Sequence, residues 1–220
     1  MEDWRDRVKI FYDAEFTGLH RNTSLISIGM VSQSGAYFYA EFNDYNKSQV
    51  SDWIQENVIN SLLFNNEDFH MEKSKFVVMG YDHINIMMKG DKNDIRLQLL
   101  TWLKNESTYS GKKIQFYTDC YAYDWMTLND LICDRGDALN LPDYIDYIPI
   151  DLSTALWFHH IDPDITREDF VSDINKDRIK SSKPFKDMGD RLKHNCLWDA
   201  TICNLCFWEL TKLDYMKEFN

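Results

Sequence analysis

No apolar run in this 220-residue chain approaches bilayer-spanning length, and the opening Met1-Glu2-Asp3-Trp4-Arg5-Asp6-Arg7 is too charged for a secretory signal. A cytoplasmic protein with no membrane partner is therefore expected. Linkers rich in proline, glycine or serine are missing, as are low-complexity tracts and internal repeats, so one domain over residues 1–220 is expected. Cysteine is sparse and odd in number, at five, without the pattern of a disulfide-built scaffold, and the thiols read as reduced. Cys203-x-x-Cys206 falls inside an expected helix with no second ligand pair at suitable spacing, so it reads as packing rather than a zinc site. Positive charge is the remaining shortage. The net charge of −12 runs against the basic surface that nucleic-acid binding usually brings. The imbalance is uneven, because residues 176–193 hold seven basic against three acidic side chains, +4, leaving −16 elsewhere. A positive flap and a solvated loop of mixed charge are both compatible with that stretch.

An apolar fraction of 44% with 15% aromatics is ample for a core. The run Val8, Ile10, Phe11, Tyr12 reads as a strand, and 25–31 and 36–42 form a hairpin across Ser32-Gln33-Ser34-Gly35. Further strands are expected at 113–118 and 145–150. Helices are expected at 50–58, 94–103, 121–133, 152–158 and about 196–216. Phe76–Met79 is a short apolar run of undetermined type, and 159–185 looks irregular and charged. Strands in sequence followed by alternating helices and strands argue for an α/β fold with a central mixed five-stranded sheet flanked by helices.

Against this frame a few acids stand out. Asp13 and Glu15 close the first strand. Residues two apart on a strand share a face, roughly 6.6 Å apart along the chain, which suits two cations held about 3.5–4 Å from each other. Asp124 lies in line with Leu128 and Leu131, and Asp199 with Ile202, Cys203 and Cys206. Both aspartates thus start helices on the apolar stripe. The helix dipole offers such an anion about 0.3–1 kcal/mol, small against the several kcal/mol cost of burying an unpaired carboxylate. A divalent metal is the economical compensation, although helix-start aspartates are common as caps. His194 stands five residues before Asp199, roughly 140° away around a helix axis. With Asn195 a fair N-cap, His194 falls on the loop just outside, where an imidazole of ordinary pKa near 6.5 could take a proton from water.

Together these residues resemble the DEDDh group of 3′–5′ exonucleases, which includes proofreading exonucleases, RNase T and oligoribonuclease. Asp13-Ala14-Glu15-Phe16-Thr17-Gly18 matches the first motif, Tyr123-Asp124 the second and His194 through Asp199 the third, in the family's order. The Phe11–Phe42 block resembles a bacterial and phage subgroup of 3′–5′ exoribonucleases. The resemblance implies an RNase H-like fold, with Asp13, Glu15, Asp124 and Asp199 holding two Mg²⁺ or Mn²⁺ ions and His194 as general base. It implies single-stranded RNA or DNA, or short oligonucleotides, as substrate, and nucleoside 5′-monophosphates as product. Phe16, Thr17, Gly18 and Leu19 would cradle the terminal nucleotide, and Trp125 could stack on a base. A homodimer is a further expectation of the resemblance. One departure is Asp119, where the family usually has Asn; an extra carboxylate alters metal occupancy or points away. His20 and Arg21 follow the first motif and read as a solvated loop. His159-His160 reads as complementing a helix C-terminus, and His70 and His83 have no identifiable partner. Two other readings stand beside the exonuclease: an RNase H-type endonuclease, and a non-catalytic acidic protein that mimics a nucleic acid.

Overall fold

The computed structural model describes residues 6–65, 75–79, 84–133, 140–189 and 192–218. Seven strands form one mixed sheet: β1 (Val8–Phe16), β2 (Leu25–Ser32), β3 (Tyr37–Phe42), β4 (Lys75–Met79), β5 (Ile84–Gly90), β6 (Ile114–Thr118) and β7 (Ile150–Asp151), in the order β4-β5-β3-β2-β1-β6-β7. β2 runs antiparallel to both β1 and β3, while β6 lies parallel to β1 and β7 parallel to β6. The helices are α1 (Asp52–Asn57), α2 (Lys92–Ser110), α3 (Tyr121–Ile132), α4 (Leu152–Phe158), α5 (Arg167–Phe170), α6 (Asp173–Lys180) and α7 (Cys196–Glu218).

The expected α/β architecture is present, with three corrections. The sheet has seven strands rather than five, because β4 and β5 add an antiparallel pair beyond β3. The strand expected at 145–150 shrinks to the two residues of β7 and a single bridge from Ile145 to Ile114. Residues 159–185 are not irregular either. Thr166 caps α5, its hydroxyl accepting from Asp169 N–H and donating to the Asp169 carboxylate. α6 follows directly. His70 and His83 lie outside the described residues.

Alternation along β1 divides the core. Val8, Ile10, Tyr12 and Ala14 face a large apolar cluster under α2 and α3, containing Trp102, Leu128 and Leu131. Phe11 faces the other side, against Tyr117, Leu152 and Cys203. Asp13 and Glu15 continue the Phe11 face. Their antiparallel partners on β2 are Gly29 and Ser27, so those residues share that face too. A register shift between Glu15 and Phe16 marks a bulge at the end of the strand.

Gly29 decides how α7 docks. A Cβ there would lie 2.3 Å from the carbonyl carbon and oxygen of Cys196 and from the Leu197 nitrogen. Only a hydrogen in place of a side chain lets the start of α7 rest on β2 opposite Asp13, and that brings Asp199, three residues further on, to the same end of β1. The Cys196 thiol contacts Ser27 Oγ at 3.3 Å, and Trp198 is fully buried behind it. Gly29→Ala is therefore expected to cost about 3 kcal/mol or more, the upper end for overpacking, measured by urea unfolding.

Candidate metal centre

Five carboxylates meet where β1 ends. Oxygens of Asp13, Glu15 and Asp199 lie within 4.8 Å of one another, and oxygens of Asp13, Asp119 and Asp124 do the same, so Asp13 belongs to both groups. They arrive from four different places in the chain. Asp13 and Glu15 come from β1, and Asp119 from the turn that follows β6. Asp124 comes from the first turn of α3, and Asp199 from the first turn of α7. The four sequence-singled acids thus converge, and Asp119 joins them rather than pointing away.

The surroundings compensate Asp124 most: the Thr118 hydroxyl donates to its Oδ2, and the backbone of Cys120 and Ala14 hydrogen-bonds to it as well. No protein donor reaches the carboxylate of Asp13 or Glu15 among the described residues. Burial, followed by the neighbouring carboxylates, pushes Asp13 and Glu15 well above the usual carboxylate range. Burial likewise raises Asp124, against the pull of the Thr118 hydrogen bond, and raises Asp199 with help from Asp119, Glu168 and Asp124. Such a set favours either bound protons or bound cations. The donors are all oxygens, the preference of Mg²⁺ and Mn²⁺, and the groups share one bridging residue, so the residues fit a pair of hard divalent ions.

Among the described residues, Arg167 is the cation that pairs directly with a carboxylate of the group. Its Nε lies 3.3 Å from Asp119 Oδ2. Burial raises the Asp119 carboxyl, and the guanidinium pulls it back down. Neither this pairing nor Glu168 beside it was singled out in the sequence. The Thr-Arg-Glu-Asp start of α5 was the available signal, since it has the form of a capped helix start.

His194 stands apart from both carboxylate groups. It occupies the residue before the α7 cap Asn195, whose Oδ1 accepts from Leu197 N–H. Its φ of 57° is left-handed, and its carbonyl accepts from Ser61 Oγ. The ring meets Trp53 edge-on at 5.3 Å. Burial and the Lys193 charge lower its pKa, partly opposed by Glu168, so the imidazole is neutral at pH 7.

The residues following Glu15 divide in role. Phe16 stacks on Tyr123 with centroids 5.7 Å apart. Thr17 is buried, donating to Gln49 Oε1 at 2.7 Å and accepting from Ser24 N–H at 3.0 Å. Gly18 adopts φ of 150°, and Leu19 projects into solvent at 68% exposure. Next to them a cleft of about 590 Å³ opens, lined among others by Arg21, Ser24, Tyr45, Lys92, Tyr123 and Met126. His20 and Arg21 lie exposed on the loop after the first motif, as expected, and also line this cleft. Trp125 is a correction: only 8% exposed, it packs on Phe116 at 5.9 Å as part of the core under α3. Helix periodicity explains this, since Leu128 and Ile132 lie three and seven positions beyond it on the apolar stripe. The Cys203 and Cys206 thiols are free and buried, as packing requires. The basic stretch is partly spent internally: Lys176 pairs with Asp173 and donates to the Glu168 carbonyl, and Lys180 sits over the Trp198 ring.

Comparison with protein-family models and with curated protein sequences finds no match. No helix among the described residues is long and apolar enough to cross a membrane.

The raised carboxyls carry a sign that can be measured. Above about pH 4 the unfolded chain has lost these protons while the folded chain retains them, so stability falls as pH rises. The metal-free protein is expected to melt at higher temperature at pH 5 than at pH 8. Mn²⁺ should cancel the difference, one ion at about 100 times its Kd adding about 2.7 kcal/mol. Differential scanning calorimetry at the two pH values, with and without Mn²⁺, checks both parts.

Proposed function

We propose that this protein is a metal-dependent 3′–5′ exonuclease of the DEDDh type, with an RNase H-like fold, acting on single-stranded or short nucleic acid, with RNA as the leading substrate. The observation that carries the proposal is the sharing of Asp13 between two groups of carboxylate oxygens, each within 4.8 Å. The central mixed sheet, with β2 antiparallel and β6 parallel to β1, supports the RNase H-like reading. The acids lie at the C-terminal end of β1, where the sheet leaves an open rim.

Asp13, Glu15, Asp119, Asp124 and Asp199 are the residues placed to hold divalent cations. Two such ions would supply a water acidified enough to attack at neutral pH and charge stabilisation at the leaving 3′-oxygen. The chain's own contributions are then positional. Asp13 fixes the separation of the two groups, because both use it. His194, neutral at pH 7, is free to accept the proton of the attacking water. A loop position outside the carboxylate groups suits a base that tightens onto substrate, since catalytic contacts are often long before substrate binds. Gly18 and the exposed Leu19 meet the terminal nucleotide, and Thr17 holds that turn in place through Gln49 and Ser24. The adjoining cleft offers Tyr45, Tyr123 and Met126 for a base and Arg21 for a phosphate. Lys92 is less available, being paired with Asp130 at 2.7 Å. A cleft with so few free cations suits a short flexible strand better than a long duplex.

A 5′-labelled RNA oligonucleotide incubated with Mn²⁺ or Mg²⁺ should yield a ladder shortening from the 3′ end. Asp13→Ala should abolish it, and His194→Ala should slow it by about 10²–10⁴-fold with metal binding retained. Internal cuts on an RNA–DNA hybrid, indifferent to His194→Ala, would identify an RNase H-type endonuclease instead. Metal-independent binding to a basic protein, without nuclease activity in any metal, would identify an acidic mimic.

A further inference from the structure

Asp119 gives the centre one carboxylate more than the four-acid motif, and its surroundings are built for that excess. The Arg167 guanidinium is nearly buried, its side chain 11% exposed, and it is tied down on every edge but one. Nη1 donates to the Ile165 carbonyl at 2.6 Å and to the Pro163 carbonyl at 3.2 Å, and Nη2 donates to Pro163 O and Ser153 Oγ. The same Ser153 hydroxyl donates to the Asp119 carbonyl at 3.0 Å, so one side chain of α4 locks both members of the pair. Nε alone makes no hydrogen bond among the described residues, and it lies 3.3 Å from Asp119 Oδ2 as an ion pair.

A guanidinium so committed cannot swing out to grip a phosphate. Its remaining role is fixed charge. Asp13, Glu15, Asp119, Asp124 and Asp199 form two groups that share Asp13; fully ionised they carry five negative charges, and Arg167 returns one, leaving −4. Two divalent cations match that value. Of the other charged groups nearby, Glu168 and Lys193 act on Asp199 with opposite signs, and Asp151 is engaged as the N-cap of α4.

We propose that Arg167 is the resident counter-cation of the metal centre, acting through Asp119: the pair keeps a fifth carboxylate beside Asp13 and Asp124 while holding the charge at the level two divalent ions require. The inference rests on the metal-dependent reading above. Arg167 is a positioning residue, and Asp119 is the ligand through which it acts on the ion held by Asp13, Asp119 and Asp124.

Mn²⁺ titration calorimetry on the full chain tests this, with thermal melting in parallel. Asp119→Asn leaves four acids facing Arg167, a charge of −3, and should weaken the weaker ion by about tenfold or more. Arg167→Met leaves −5 and should tighten that ion while lowering the melting temperature of the metal-free protein. The double variant returns to −4 and should bind within about threefold of the unaltered protein, because the two charge changes offset each other. Arg167→Lys keeps the charge and drops the carbonyl fork, so it should lose thermal stability but not Mn²⁺ affinity. Single variants that shift affinity in the same direction, or a double variant that binds no more tightly than Asp119→Asn alone, overturn the proposal. Should Arg167→Met not fold, unchanged affinity in Asp119→Asn overturns it equally. Absence of Mn²⁺ binding by the unaltered protein would defeat the metal reading itself, whereas intact binding without compensation defeats this inference alone.

Discussion

Mutual repulsion among buried carboxylates at the end of β1 is the constraint around which the rest of the structure is arranged. Asp13 and Glu15 have no choice of direction, because β1 alternates and the even residues are committed to the core under α2 and α3. Asp124 and Asp199 are equally committed, each leading a helix whose apolar stripe is buried beyond it. The core therefore forces like charges together, and the energy of doing so is recovered elsewhere: from the Thr118 hydroxyl, from the Arg167 charge, and from protons or cations.

Close approach is what turns a set of acids into a site. The absence of a side chain at Gly29 lets α7 lie against β2, and the cap at Asn195 starts that helix at the height of Asp13. On the opposite side, Ser153 and the short α5 hold Arg167 against Asp119. The result is asymmetric. One carboxylate group is enclosed by strand and helix backbone, whereas the other has a fixed cation at its back. Two ions in such a frame would not be equivalent.

Legibility differed from element to element for physical reasons. β1, β2, β3, β6, α3, α4 and α7 were readable because their apolar positions follow a strand or helix period over enough residues to distinguish the two. β5 was missed because Ile84-Asn85-Ile86-Met87-Met88-Lys89 shows neither clean alternation nor turn residues that could be set against a helix. β7 was overextended, since Ile145 and Ile150 look like one strand but touch β6 only at their two ends. Trp125 and Trp102 have the same chemistry in the sequence as Trp53, yet the first two are core and the third lies exposed against His194. Single aromatic residues do not announce which side of a helix they will occupy when both sides carry apolar neighbours.

Local order by itself determined the strand that ends in Asp13 and Glu15, the helix starts at Asp124 and Asp199, and the need to compensate acids set on apolar stripes, because periodicity and the cost of desolvating charge are properties of short segments. Only the tertiary structure decided that Asp119 stands among them, that Arg167 from 48 positions further on balances it, and that Gly29 admits the α7 backbone. Those outcomes depend on contacts between residues far apart in the chain. No repeating pattern encodes such contacts; they exist only once the sheet and helices have closed around the same point.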